Sequence, residues 1–223
     1  MKQLAFDLAA PPAPTLDNFV TGRNAEVVER LREIARGTGT DRFVYLWGAP
    51  ASGRTHLLRA AVAELERAGV RTAYIPGGSV VDERARADLD AAAIDDVERL
   101  DEEAQTALFN LYNHLRESGG ALVAAGNAPP PRLGLRADVA SRLAWGFVYE
   151  VHALSDAEKE HALAEHAAAR GFSLPPEVAR YLLARVQRDM RTLTAMVESL
   201  DRYSLEAKRA VTVPLVRELL DDK

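Results

Sequence analysis

The segment Gly48-Ala49-Pro50-Ala51-Ser52-Gly53-Arg54-Thr55 constrains this chain more than any other stretch. It follows an apolar run, Phe43 to Trp47, and leads into His56-Leu57-Leu58-Arg59, so the letters read as strand, tight loop and helix. That is the setting in which a glycine-rich loop cradles phosphate. Glycine lets the backbone turn at positive φ and approach a ligand, while the unpaired N–H groups opening the next helix point at an anion. Gly48, Gly53, Arg54 and Thr55 are the candidate phosphate contacts, with an ordinary glycine turn into a helix as the plain alternative, and Thr55 is placed to ligate Mg2+. Arg54 stands where the usual loop carries lysine. A guanidinium is larger, planar and always charged, a change that phosphate binding survives more readily than hydrolysis does.

A second strand is expected at Arg71 to Pro76, stopped by Gly77-Gly78, and a third in the small apolar run from Leu89 to Ile94. That run ends in Asp95-Asp96. Residues at strand carboxyl ends surround the ligand crevice of an α/β sheet, so Asp95 is the expected outer ligand of Mg2+ and Asp96 the residue to position water; a solvated turn is the plain alternative. An amphipathic helix follows from about Glu102 to Glu117, with Ala104, Leu108, Leu111 and Leu115 on one face. A further strand, Ala121 to Ala125, carries Asn127 just beyond its end, where an amide reaches a terminal phosphate or serves as an ordinary turn residue. A short helix holding Arg142 and a strand at Phe147 to Val151 complete this part. Asn24 is expected to cap a helix running to Arg36.

From Leu154 onward the chain reads as almost all helix, starting with a Ser155-x-x-Glu158 capping box. The division expected is a tail at 1–15, an α/β nucleotide-binding domain with a parallel sheet flanked by helices at 16–153, and a small all-helical lid at 154–223. The tail contains a proline-rich segment, Ala9 to Pro14, which would stay extended. Ahead of it, a short peptide with the amide of Gln3 and the apolar groups Leu4, Phe6 and Leu8 could dock in a hydrophobic groove through those apolar anchors; a frayed terminus or a strand laid on the core remains open from these letters. With 48% apolar residues the chain can bury a full core, and the absence of cysteine excludes disulfide scaffolds and thiol chemistry. Net charge is 28 minus 33, or −5, which argues against the chain gripping DNA by itself. No run approaches membrane-spanning length, and a cytoplasmic location without membrane contact is expected.

A P-loop α/β domain with an acidic strand end, a polar strand end and a helical lid resembles the AAA+ family. Gly53-Arg54-Thr55-His56-Leu57-Leu58, Ala140-Ser141-Arg142-Leu143-Ala144-Trp145-Gly146 and Arg188-Asp189-Met190-Arg191-Thr192-Leu193 resemble, more closely, the Hda family of DnaA-related AAA+ regulators, over essentially the whole chain. The resemblance implies that Phe19 and Val20 line an adenine pocket, that Asp95 and Asp96 form the Walker B motif, and that Asn127 and Arg191 are sensors 1 and 2. It implies that Arg142 is an arginine finger that reaches a neighbour's nucleotide, and that Gln3, Leu4, Phe6 and Leu8 bind the sliding clamp, the beta subunit of DNA polymerase III. The implied function is an adaptor holding ADP or ATP, with Mg2+ where it is bound. On clamp-loaded DNA it would stimulate ATP hydrolysis on DnaA-ATP and so inhibit re-initiation, its own hydrolysis being weak and its working form the ADP state. No helix-turn-helix segment is read after the lid, so DNA contact is expected mainly through the partners; a homo-oligomer is compatible with the family. The competing readings are an autonomous AAA+ ATPase of the helicase-loader type and a nucleotide-binding scaffold that never assists hydrolysis.

Overall fold

The computed structural model describes residues 12–39, 41–79 and 88–221. Pro14–Ala153 form one compact unit and the helices after Leu154 belong to another. In the first, helix α1 (Ala25–Arg36) precedes strand β1 (Phe43–Trp47), helix α2 (Arg54–Arg67) and strand β2 (Thr72–Ile75). Strand β3 (Ala91–Ile94), helix α3 (Glu102–Ser118), strand β4 (Ala121–Gly126), helix α4 (Ala137–Leu143) and strand β5 (Phe147–Glu150) follow. The strands pair in the order β2-β3-β4-β1-β5, all parallel.

Side-chain alternation along each strand divides this unit into layers. Val44 and Leu46 of β1, with Ala91, Ala93, Val123 and Ala125, face α1 and α2. Tyr45, Ala92, Ile94, Leu122 and Ala124 face α3 and α4 on the opposite side. The alanines of β3 are all but inaccessible to solvent. Small side chains on this interior strand let the helices of both layers pack close, which explains a strand that looks weak by β-propensity. The apolar face predicted for α3 is the buried one: Leu111 and Leu115 are fully buried, and Asp101 caps the helix by accepting from the Ala104 N–H at 2.8 Å.

Asn24 departs from its expected role. It occupies the position before α1, but its side chain makes no cap bond. Instead it is buried and exchanges two hydrogen bonds with the His152 backbone: Nδ2 donates to the carbonyl at 2.9 Å and Oδ1 accepts from the N–H at 2.8 Å. Two part-buried backbone groups just beyond β5 are satisfied in this way, in place of a helix cap.

The second unit consists of helices α5 (Asp156–Ala169), α6 (Pro176–Arg185), α7 (Met190–Ala207) and α8 (Val213–Asp221) around a core that includes Leu163, Val178, Leu182, Val197 and Val216. The Ser155 capping box forms as read, its hydroxyl accepting from the Glu158 N–H at 3.2 Å.

Candidate nucleotide-binding site

The loop of residues 48–53 leaves the carboxyl end of β1 and opens α2, with Gly53 in the left-handed region at φ 101°. A Cβ there would lie 2.7 Å from Cε2 of Phe19. Glycine is thus required twice over, by its dihedral and by the aromatic ring closing on the loop. At Gly48 a Cβ would run into the Val151 carbonyl. Phe19 also packs against the His56 ring, centroids 5.4 Å apart, and His56 Nε2 lies 2.9 Å from the Thr15 carbonyl oxygen. These contacts hold the segment carrying Phe19 and Val20 beside the opening of α2, and both side chains are partly exposed there.

Two polar atoms at this loop, Ser52 Oγ and Arg54 Nη1, are buried without a hydrogen-bond partner. Buried polar atoms normally have partners. Here a hydroxyl and a cationic donor stand unsatisfied where a helix N-terminus already favours negative charge, and the backbone is bare enough for close approach. The residues present therefore fit a phosphate-bearing ligand. Thr55 is exposed on the first turn of α2, accessible to a metal ion accompanying one.

The acidic strand end is more elaborate than the sequence suggests. Asp95 is 3% exposed. Its Oδ2 accepts a 2.8 Å hydrogen bond from the hydroxyl of Tyr74 on β2, and its Oδ1 accepts from the Asp96 N–H at 3.0 Å. Burial, then the bond to Asp95, pushes the Tyr74 phenol up to about 12, so it remains a neutral donor across the physiological range. The Arg59 guanidinium lies over the Tyr74 ring at 4.4 Å. Asp96 adopts φ 43°, packs its Cβ against Gly77, and stands 3.7 Å from Arg99.

Asn127 is exposed just beyond β4, and its N–H donates to Glu98 Oε2 at 3.3 Å. Tyr45 projects from β1 beneath this point and donates to the Ala128 carbonyl at 2.7 Å, with its hydroxyl over Gly126. Burial raises the Tyr45 phenol strongly; Glu98 adds to the shift and Arg54 opposes it. Sequence reading missed Tyr74, Tyr45, Glu98 and Ser52. The first three are brought to the site by strand register or by the turn after β3, and no local pattern marks them.

The loop after β1, Asp95 and Asn127 thus share the carboxyl edge of the sheet. Arg142 does not. It lies in the last turn of α4, and Gly146, four residues on and just ahead of β5, packs against the backbone of Phe43, at the start of β1. Since β1 is five residues long, the two edges are separated by roughly 15 Å. The Arg142 side chain lies over the Phe109 ring at 3.7 Å, donates from Nε to Asn113 Oδ1 at 3.0 Å and from Nη1 to the Asp138 carbonyl at 3.3 Å. A shallow pocket beside it is lined by Tyr112, Asn113, Arg116, Ser141 and the largely exposed Trp145. Arg191 is exposed on the first turn of α7 in the second unit, where Asp189 caps the helix by accepting from the Thr192 N–H at 2.8 Å. Gln3, Leu4, Phe6 and Leu8 lie outside the described residues. Among the described residues, no helix is long and apolar enough to cross a membrane.

A parallel sheet in this order, a phosphate-binding loop after its β1 strand and a following helical unit define the AAA+ class of P-loop proteins. Residues 12–150 match the model of the bacterial DnaA ATPase domain, and residues 156–220 match that of the Hda lid domain. The chain belongs to the Hda/DnaA-related family of AAA+ proteins. Among solved structures it is similar to domain III of the replication initiator DnaA from Thermotoga maritima. The TM-score is 0.74 at 24% identity, covering 95% of this chain and 97% of that one. DnaA from Aquifex aeolicus with AMPPCP bound gives a TM-score of 0.70 at 23% identity, covering 90% and 71%. A RuvB variant from Thermotoga maritima gives 0.67 at 19%, covering 95% and 72%. At these identities the structural likeness speaks for the fold alone.

Proposed function

We propose that this protein is a nucleotide-bound adaptor that supplies Arg142 in trans to the ATP site of DnaA, while its N-terminal peptide holds it to the DNA-loaded sliding clamp. The observation that supports this reading is the setting of Arg142: its guanidinium lies over the Phe109 ring and is bonded to Asn113, in the last turn of the helix that leads into β5 and not in the phosphate loop. The Hda lid match at residues 156–220 supports the same reading.

In the proposed resting state, Gly48, Gly53, Arg54 and Thr55 hold the phosphates of ADP or ATP, and Phe19 and Val20 flank the adenine. Asp95 with Thr55 would hold Mg2+, which neutralises phosphate charge when bound. The family resemblance gives Asn127 and Arg191 the roles of sensors 1 and 2. Arg54 in place of lysine fits a site that retains a diphosphate better than it turns over a triphosphate. In the proposed active assembly, tethering through Gln3, Leu4, Phe6 and Leu8 raises the local concentration of the adaptor near DnaA. Arg142 then meets negative charge developing on the γ-phosphoryl group of DnaA-bound ATP, a contribution of roughly 10³ to 10⁵ in rate for a well-positioned arginine. DnaA is left in its ADP form and initiation stops. DNA is contacted through the clamp and DnaA, consistent with the acidic net charge.

The test separates the two functions. Arg142→Ala should abolish stimulation of DnaA hydrolysis while still binding loaded clamps, and Leu4→Ala with Phe6→Ala should do the reverse. Full activity in both variants would reject the adaptor reading.

A further inference from the structure

We propose that Tyr74 is a positioning residue for the metal ion at the nucleotide site, acting through Asp95. The inference rests on the nucleotide-binding part of the function proposed above and is independent of the arginine supplied in trans.

Two tightly paired parallel strands fix the geometry. Tyr74 is in register with Ala93, and the Asp95 N–H donates to the Ile75 carbonyl at 2.9 Å, continuing the β2–β3 ladder past the last strand residue. Within this frame the phenol on β2 meets Asp95, and its hydroxyl takes Oδ2 at 2.8 Å while the Asp96 N–H takes Oδ1. Asp95 has no rotational freedom left, being buried and held at both oxygens. An ionised carboxylate offers about four acceptor positions. One donor on each oxygen fixes the plane of the group and leaves acceptor capacity on both for a metal-bound water or the ion itself. The arrangement has the form of a carboxylate ligand oriented by a hydrogen bond from behind, for which loss of the outer partner typically costs about 10- to 100-fold in metal affinity. The Arg59 guanidinium over the Tyr74 ring packs the phenol from the helix after the phosphate loop and so helps to hold it in place beside Asp95.

Tyr74→Phe removes the hydroxyl and keeps the ring beneath Arg59. The measurement is release of a fluorescent ADP analogue from the purified protein as a function of Mg2+ concentration, with release in excess EDTA as the metal-free reference. The variant should release the analogue at the wild-type rate in EDTA and need about 10- to 100-fold more Mg2+ for the same slowing. In an Asp95→Asn background, removing the Tyr74 hydroxyl should change nothing further, because the group it orients is gone. An unchanged Mg2+ midpoint in Tyr74→Phe overturns the proposal, as does an equal effect of Tyr74→Phe with and without the Asp95 carboxylate, which would mark a purely structural role. Wild-type release that ignores Mg2+ also overturns it. These outcomes leave DnaA stimulation by Arg142 unaffected, so failure here and failure of the adaptor reading are read in different assays.

Discussion

The guanidinium carbon of Arg142 stands 3.7 Å from the centroid of the Phe109 ring, while Nε donates to Asn113 on the next turn of the same helix. These contacts hold the guanidinium in place, so in the proposed role as an arginine finger little side-chain entropy would remain to be lost on meeting a phosphoryl group. A cation over an aromatic face contributes about 0.5–2 kcal/mol depending on desolvation. Phe109→Leu keeps an apolar side chain against the core and removes the stack. It should lower stimulated hydrolysis on DnaA by about two- to thirtyfold without changing clamp binding, measured by single-turnover kinetics and by clamp pull-down on the same samples.

Gly53→Ala tests the phosphate loop. The new Cβ would meet Phe19 at 2.7 Å in a backbone with φ 101°. Left-handed strain alone costs about 1–2 kcal/mol for a residue with a Cβ, and displacing Phe19 disturbs the proposed adenine side. The expected result, by equilibrium titration with labelled ADP, is a loss of about tenfold or more in affinity in a protein that still unfolds cooperatively. Wild-type affinity would show that the loop is not the phosphate cradle.

Asn24→Ala should destabilise the first unit by about 1–3 kcal/mol, because the His152 N–H and carbonyl would lose their partner inside the fold. Denaturant unfolding measures this as a lower midpoint at unchanged slope. A change of a few tenths of a kcal/mol would instead be the signature of a dispensable helix cap.

Two exposed pairs give the acid response a defined sign. The Arg71 side chain, bonded to Asp90 at 2.8 and 2.9 Å, holds that carboxyl below its ordinary value. Arg209 does the same to Glu218 in the helical unit. A depressed folded value means stability present above the unfolded carboxylate pKa of about 4 and lost as pH falls through the folded one. Asp90→Asn and Glu218→Gln should therefore melt slightly below wild type near neutral pH. The gap should close on acidification below about pH 4 and narrow in high salt, both followed by thermal unfolding.

The P-loop, the strand carrying Asp95 and the capped helices were legible because each rests on local physics: a glycine forced by φ, an apolar period, a side chain three residues from the N–H it accepts from. Helix α3 and the Ser155 cap illustrate this. What was illegible depends on partners distant in the chain. Asn24 has a capping residue's chemistry, yet it bonds a backbone 128 residues away. Tyr74 looks like an ordinary strand aromatic until parallel register sets it beside Asp95. Only the family resemblance points Phe19 to the adenine side; its closure over Gly53 is a tertiary contact that no spacing encodes.

The most direct test of the central claim is single-turnover hydrolysis of labelled ATP pre-bound to DnaA, on clamp-loaded DNA, with this protein or its Arg142→Ala variant in the ADP form. The account predicts strong stimulation by the intact protein and a fall of roughly 10³-fold or more toward the unstimulated rate in the variant. Equal stimulation by both proteins, or none by the intact one, would contradict it.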